Sequence, residues 1–175
     1  MELKRLEPDD SRPRFCCGDT DIDEYFAVDS IAGGKELISV TYAYLSDDGR
    51  VRGFFSVSND AIKKEDVPPS TYKRVVKAVL REKRYSSMPA TKIGRLGVCH
   101  TEQRNGVGTE ILDYLKVWFT KGNKTGCRFL VVDAYNKANI LEFYRKNGFL
   151  FLKETEEDAN AVNRIMYFDL KTFRL

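Results

Sequence analysis

Two glycines two positions apart stand between an apolar segment and a long helical pattern in the middle of the chain. The loop that carries them reads Gln103-Arg104-Asn105-Gly106-Val107-Gly108, and apolar residues then recur at helical spacing as far as Phe119. Glycine lets the backbone approach a ligand closely. The first N–H groups of a helix have no internal acceptor and lie at the positive end of the helix dipole. With the cation of Arg104 beside them, these groups predict a site for a phosphate or pyrophosphate.

Three interpretations of this loop differ in what it binds. A Walker A loop is excluded, because Gly108 is followed by Thr109-Glu110 and not by a Lys-Ser/Thr pair. A dinucleotide-binding loop lacks its third glycine at Ile111, although Asp133 can serve as the acidic residue that this class requires after the next strand. The third interpretation is a helix capped by a glycine turn that binds no ligand.

Cysteine and histidine offer little further chemistry. His100 is the only histidine, so no pair or cluster with metal-ligand spacing exists, and His100 itself is the single imidazole that can act as a base. Cys16 and Cys17 are adjacent, and Cys99 and Cys127 lie in apolar surroundings. We expect all four cysteines to be reduced and structural.

The elements that position these residues follow from the apolar pattern. Alternation and short apolar runs predict strands at 2–6, 39–45, 51–57, 93–98, 129–132, 149–152 and 165–170. Helical spacing and capping residues predict helices from Asp19 to about Gly34, from Ser70 to about Arg84, from the glycine loop to about Gly122, and from about Ile140 to Gly148. Two hairpin-like strands followed by alternating strands and helices indicate one mixed α/β domain over residues 1–175.

Composition narrows the class of protein. The chain is 42% hydrophobic and 31% charged, which excludes a disordered chain, and no run approaches the roughly 20 apolar residues of a membrane span. The first six residues lack the apolar stretch of a signal peptide, so we expect a cytoplasmic protein.

The net charge of +3 is a sum of unlike regions. Residues 73–84 hold six basic side chains and one acidic one, whereas 154–158 holds four acidic ones. Such a basic helix can neutralise the phosphates of a nucleic acid, and the alternative is a solvated face of an amphipathic helix. The candidate nucleic-acid contacts are Lys73, Arg74, Lys77, Arg81, Lys83 and Arg84.

A second motif follows the glycine loop after about 35 residues: Phe143-Tyr144-Arg145-Lys146-Asn147-Gly148-Phe149. In this order and context, the loop and this motif resemble the GCN5-related N-acetyltransferase (GNAT) family. The resemblance implies an α/β fold with a mixed, mostly antiparallel sheet that is flanked by helices and splayed between its fourth and fifth strands, 93–98 and 128–133. It also implies acetyl-CoA as co-substrate. The candidate contacts to it are Leu96, Gly97, Val98, Gln103, Arg104, Asn105, Gly106, Val107, Gly108, Thr109, and Asn136 or Asn139.

The resemblance also implies the catalytic groups. Tyr144 is expected to protonate the departing thiolate of CoA. Many relatives have a glutamate on the central strand, but residues 93–98 contain no carboxylate, and Asp60 or His100 is left as the base. A lysine amine has a pKa near 10.4 and needs a base at neutral pH, whereas an α-amine has one near 7.7–8.0. The missing carboxylate therefore favours an α-amine as acceptor.

The segment from Phe15 to Phe26 resembles the Phe-x-Cys-Gly-x-x-x-Leu-Asp-x-aromatic opening of one branch of this family. That branch includes the TacT-like and AtaT-like toxins, which acetylate the α-amine of aminoacyl-tRNA, carry an insertion where the basic helix lies here (about 61–88), and pair with a small antitoxin. A monomer or a homodimer is expected. Two other functions stay open: acetylation of a small amine or a protein amine, and a non-catalytic module that binds nucleic acid or protein.

Overall fold

A computed structural model describes residues 2–77, 85–122 and 125–173 of the chain. Within this part, the strands are β1 (Glu2–Leu6), β2 (Val40–Leu45), β3 (Val51–Lys63), β4 (Ser87–Val98), β5 (Phe129–Tyr135), β6 (Leu150–Phe151) and β7 (Asn163–Asp169). The helices described are α1 (Thr20–Glu24), α2 (Ser30–Lys35), α3 (Pro69–Val75), α4 (Val107–Thr120), α5 (Ala138–Lys146) and α6 (Glu156–Ala159). A π-helical turn at Tyr25–Asp29 joins α1 to α2.

The strands form one mixed sheet in the order β1-β2-β3-β4-β5-β7-β6. Strands β4 and β5 are parallel, whereas β1 with β2, β2 with β3, β5 with β7, and β6 with β7 are antiparallel. Helices flank the sheet. The mixed, mostly antiparallel α/β class that the sequence resemblance implies is confirmed. No helix in the described ranges is both long and apolar enough to cross a bilayer.

The chain divides into two compact units, each made from two stretches of sequence. The first contains Met1–Ser58 and Ile93–Leu115. Its aromatic core joins Phe15 and Phe26 to Phe54 of β3, with ring centroids 5.1 Å and 4.7 Å from that of Phe54. This packing fixes the N-terminal segment and α1 on the strands. Asp19 caps α1 as predicted, because its carboxylate accepts from the N–H groups of Asp21 and Ile22.

The second unit contains Asn59–Lys92 and Lys116–Leu175. The buried residues Tyr72, Val75 and Val76, from α3 and the turn after it, join a cluster that includes Phe129 of β5 and Tyr167 of β7. The Tyr72 hydroxyl donates to the carbonyl of Tyr85 at 2.9 Å. The described apolar residues of the basic segment, Val75 and Val76, are therefore part of this unit's core.

Two strands are longer than predicted. Strand β3 continues from Val57 to Lys63, so Asp60 lies within it and not after it. Strand β4 begins at Ser87 and not at Ile93, because Met88 and Ala90 alternate with exposed residues and reach the core. Pro89 lacks an N–H, but its carbonyl accepts from the N–H of Arg128 at 2.9 Å.

Two helices also differ from the prediction. Helix α3 ends at Val75, short of the predicted Arg84, where the Lys77 N–H turns to the Arg74 carbonyl three residues back. The rest of that predicted helix, 78–84, lies outside the described residues. The acidic stretch contains the short helix α6, because Thr155 caps it through the Asp158 N–H and acidic residues suit a helix N-terminus.

Candidate active site

The glycine loop leaves its backbone open to a ligand. Arg104 and Gly106 have left-handed backbones, with φ of +66° and +87°, and the loop is exposed. The Glu110 N–H donates to the Gly106 carbonyl at 3.0 Å, which is the first four-residue bond of α4. The amides of residues 107–109 precede that bond, so they have no acceptor within the helix. These groups fit the pyrophosphate that the sequence resemblance implies.

Gln103 braces this loop within the first unit. Its Nε2 donates to the carbonyls of Cys17 at 2.7 Å and of Val98 at 3.1 Å. The Val98 carbonyl, at one of the predicted contacts to acetyl-CoA, therefore already accepts a hydrogen bond from Gln103. Leu96 and Gly97 are the other two predicted strand positions.

Gly97 has a packing reason to be glycine. A Cβ at this position would lie 2.7 Å from Phe54 Cε1, 2.9 Å from Ile22 Cγ2 and 3.1 Å from Phe15 Cζ. The aromatic core that holds the N-terminal segment thus occupies the space beside the central strand. A larger residue at position 97 would therefore clash with the segment that contains Phe15.

His100 is bonded to the N-terminal segment. Its backbone N–H donates to the Cys16 carbonyl at 3.0 Å, and its ring Nδ1 lies 3.1 Å from the same oxygen. A carbonyl accepts, so Nδ1 carries the proton in this arrangement. The imidazole therefore hydrogen-bonds the backbone of the N-terminal segment.

Tyr144 is buried in α5 of the second unit, with 7% of its surface exposed. Its ring packs edge-on against Phe143 and Phe149, with centroids 5.1 Å and 5.4 Å away. Burial raises the pKa of the hydroxyl well above its usual value near 10. An ordinary tyrosine is already protonated at neutral pH, and the raised pKa extends this state, which an acid needs, to higher pH.

The second motif closes α5 and buries Tyr144. Gly148 has a φ of +83°, its N–H donates to the Arg145 carbonyl, and the Phe149 N–H donates to the Tyr144 carbonyl at 3.0 Å. This is a Schellman cap with its usual apolar contact, here between Phe149 and Tyr144. The predicted cap at Gly148 is confirmed. The aromatic-Tyr-x-x-x-Gly-Phe spacing is thus a helix ending that encloses the tyrosine.

Asp60 lines a cavity of about 370 Å³ in the second unit. It is exposed, and its Oδ1 accepts from the Ala61 N–H at 2.7 Å. The floor of the cavity is apolar and includes Ile62, Val131 and Leu152, which are buried. Its other charged residues are Lys63, Asp66, Lys92, Asp133 and Lys153.

An ion pair in this cavity was missed by sequence reasoning. Lys92 Nζ lies 2.5 Å from Asp133 Oδ2, which joins β4 to β5. In the sequence, the only indication was Asp133 at the end of the apolar run Phe129–Val132. From the sequence, this residue is a candidate only for a dinucleotide-binding site. The cavity offers carboxylates and ammonium groups together over an apolar floor.

The two candidate asparagines differ in the structure. The Asn136 Nδ2 donates to the carbonyls of Ala159 at 2.9 Å and Ala161 at 2.8 Å, so its amide braces the turn before β7. Asn139 lies exposed in the first turn of α5. Of the pair, Asn139 has the side chain available to a ligand.

The basic segment is only partly described. Lys73 and Lys77 are exposed, whereas Arg74 is engaged in the second unit: its Nη2 donates to the Phe151 carbonyl at 2.9 Å, and its guanidinium lies over the Tyr167 ring. Arg74 Nη1 also lies 4.0 Å from Glu154. The other three predicted contacts, Arg81, Lys83 and Arg84, lie outside the described residues.

No model of a known protein family matches the chain. Solved structures match nearly all of it at low identity. A tyrosine-to-phenylalanine variant of KacT aligns with a TM-score of 0.76 and 18% identity, over 98% of this chain and 95% of that one. AtaT complexed with acetyl-methionyl-tRNAfMet aligns at 0.74 and 18%, over 98% and 95%. AtaTR bound with AcCoA aligns at 0.71 and 19%, over 98% and 94%. The chain therefore has the GCN5-related N-acetyltransferase fold in the form found in these structures.

Proposed function

We propose that this protein is an acetyl-CoA-dependent N-acetyltransferase. The observation that carries the proposal is the exposed loop that precedes α4. Arg104 and Gly106 in this loop have left-handed backbones, and the amides that follow them come before the first hydrogen bond of the helix. Such a cradle suits a pyrophosphate. A protein of the same fold, AtaTR, has been solved with AcCoA.

Direct transfer needs an acid for the leaving group and a neutral amine. The amine nitrogen forms a bond to the acetyl carbon, the carbon–sulfur bond breaks, and the thiolate takes a proton. Tyr144 supplies that proton, since a tyrosine hydroxyl is protonated at neutral pH and burial raises its pKa further. Asp60 accepts the proton that the amine loses, either directly or through water.

The acceptor that we propose is the α-amine of aminoacyl-tRNA. Strand β4 has no carboxylate over residues 93–98, and an α-amine is substantially neutral at physiological pH without a strong base. The mixed charges around the cavity at Asp60 suit a substrate that carries an amine close to phosphates. AtaT, which has this fold, was solved with acetyl-methionyl-tRNAfMet.

The surrounding partners follow from the same proposal. Lys73 and Lys77 contact the tRNA backbone, in the cytoplasm where charged tRNA occurs. A small antitoxin binds the protein, as the antitoxin AtaR binds AtaT through its C-terminus.

The deciding experiment incubates the protein with labelled acetyl-CoA and, in parallel, with charged tRNA, uncharged tRNA, a polyamine and a lysine-containing peptide. We expect label on the charged tRNA alone, in a form that mild alkali releases as an N-acetylated amino acid. The Tyr144→Phe variant is the matched catalytic control.

Label on the polyamine or the peptide, with none on charged tRNA, overturns the proposed acceptor and keeps the acetyltransferase. Binding of acetyl-CoA with no label on any amine overturns the enzyme, and favours a non-catalytic binding module.

A further inference from the structure

Two free cysteines share a cavity in the first unit. Cys16 and Cys99 both line a space of about 360 Å³ at the start of β3. Arg14, Arg50 and His100 line the same space. Cys16 is exposed and Cys99 is half-buried, so solvent reaches both positions.

The backbone holds these cysteines close together. The Cys16 carbonyl accepts from the His100 N–H at 3.0 Å, and Cys99 directly precedes His100. Standard bond lengths then place the α-carbons of Cys16 and Cys99 within about 8 Å of each other. Disulfides span α-carbon separations of about 4.4–6.8 Å, so the upper bound for this pair lies only about 1 Å above that range.

The neighbouring Cys17 does not compete for this chemistry. It is buried, its N–H donates to Asp23 Oδ1 at 2.7 Å, and its Sγ lies 3.7 Å from the Asp19 carbonyl. Burial, and then the hydrogen bond to Asp23, raise the pKa of its thiol to about 12. Of the two adjacent cysteines, only Cys16 lines the cavity, and its thiol also donates a hydrogen bond to the Asp23 carboxylate.

We propose that Cys16 and Cys99 form a thiol–disulfide exchange site for an anionic low-molecular-weight disulfide such as glutathione disulfide. The Cys16 thiolate attacks one sulfur of the disulfide, forms a mixed disulfide and releases one glutathione thiolate, which takes up a proton. The Cys99 thiolate then attacks the Cys16 sulfur and releases the second glutathione. The protein loses two electrons and two protons, and one glutathione disulfide becomes two thiols.

The cavity is lined by three arginines, Arg14, Arg50 and Arg52, and one carboxylate, Glu102, which pairs with Arg52 at 3.1 Å, so the charge of its lining favours an anionic disulfide. Arg14 is exposed and forms no ion pair among the described residues, whereas Arg50 pairs with Asp48 at 2.7 Å. The carboxylates of glutathione can therefore pair with Arg14 without displacing an internal partner. The resulting link ties the N-terminal segment to the turn that precedes Gln103 and the glycine loop.

The test treats the full-length protein with glutathione disulfide, blocks the remaining thiols and maps disulfide-linked peptides by mass spectrometry. We expect one intramolecular link, from Cys16 to Cys99. Cys99→Ser should stop with glutathione on Cys16, and Cys16→Ser should slow modification of Cys99 about tenfold or more. Cys127→Ser is the matched control and should leave the link unchanged.

Arg14→Gln tests the preference for an anionic disulfide. This variant should react more slowly than the parent protein with glutathione disulfide and equally fast with the neutral hydroxyethyl disulfide. Equal slowing with both reagents overturns the role of Arg14. A mixed disulfide that persists on Cys16 while Cys99 stays free, a link through Cys17, or a link between two molecules overturns the site.

Discussion

The Tyr144 hydroxyl is buried and neutral at physiological pH. The ring lies between Phe143 and Phe149, and the low polarity of that surrounding raises its pKa above the usual value near 10. The neutral form therefore persists through the physiological range, and only above about pH 10 does ionisation begin to favour the unfolded chain. The side chain therefore carries the proton that the proposed acid role requires.

Tyr144→Phe should lower kcat for acetyl transfer by about 10²-fold or more, the usual contribution of a general acid. The affinity for acetyl-CoA should stay within about twofold, because the variant keeps the ring and its packing. Steady-state kinetics and calorimetric binding measure the two effects. An unchanged kcat, or a loss confined to cofactor binding, contradicts the acid role.

The sequence does not predict what the side-chain amides of Gln103 and Asn136 bind. Gln103 and Asn136 stand where ligand contacts were expected, yet both donate to carbonyls of the chain itself. An amide can bond a ligand or the backbone equally well, and its sequence position does not decide between them. The partner depends on which carbonyls the fold brings near.

Glycines give the elements their shapes for two different reasons. Gly106 has a φ of +87° and open space where a Cβ would lie, so its conformation alone requires glycine. Gly97 has an ordinary backbone, but core side chains fill the space beside it. Alanine substitutions at Gly106 and Gly97 should distinguish backbone strain in the loop from overpacking beside the strand.

Gly106→Ala should cost about 1 kcal/mol or more, because alanine disfavours the left-handed region, and should also weaken acetyl-CoA binding. Gly49→Ala is the matched control, since Gly49 has a φ of +79° and equally open space in the β2–β3 turn. The control should lose similar stability and keep its affinity. Equal loss of affinity in both variants would show that the glycine loop has no special part in binding.

Gly97→Ala should destabilise the protein by about 1–3 kcal/mol, the typical cost of overpacking a core. Its new methyl group would meet the Phe54 ring at 2.7 Å. Gly126→Ala places a methyl group in open space and serves as the control, with little change expected. Urea unfolding measures the stability of both variants, and equal midpoints contradict the close packing of Phe54 against Gly97.

Over the whole molecule, the small net charge conceals a division between basic and acidic segments. The Arg74 guanidinium lies 4.0 Å from Glu154, so the basic and acidic stretches meet within the second unit and partly neutralise each other. The exposed Lys73 and Lys77 have no described ion pair and keep their charge for a partner.

Lys73→Gln should reduce the slope of log K against log salt for tRNA binding by about 0.7–0.9, the release of roughly one counterion. Lys35→Gln on α2 changes the net charge equally and should leave the slope unchanged. Filter binding or fluorescence anisotropy over a salt series measures both. If the two variants shift the slope alike, the interface is elsewhere or the attraction is unspecific.

Local patterns were enough to predict most elements of the fold. Alternation predicted β1 and β2 closely, Asp19 and Gly148 marked the ends of helices, and the two motifs implied the fold class. These features depend on near neighbours in the chain, such as a carboxylate reaching the N–H two or three residues ahead, so the sequence alone determines them.

Contacts between distant residues decided the rest. The extension of β3 through Asp60, the early start of β4 at Ser87, the Lys92–Asp133 pair and the shared cavity of Cys16 and Cys99 all depend on partners tens of residues away. Sequence spacing carries no measure of those distances. By itself, the sequence determined a glycine loop, a tyrosine motif and their fold. Only the tertiary structure determined which side chains are available to a ligand, because the other candidate side chains are buried or already hydrogen-bonded within the protein.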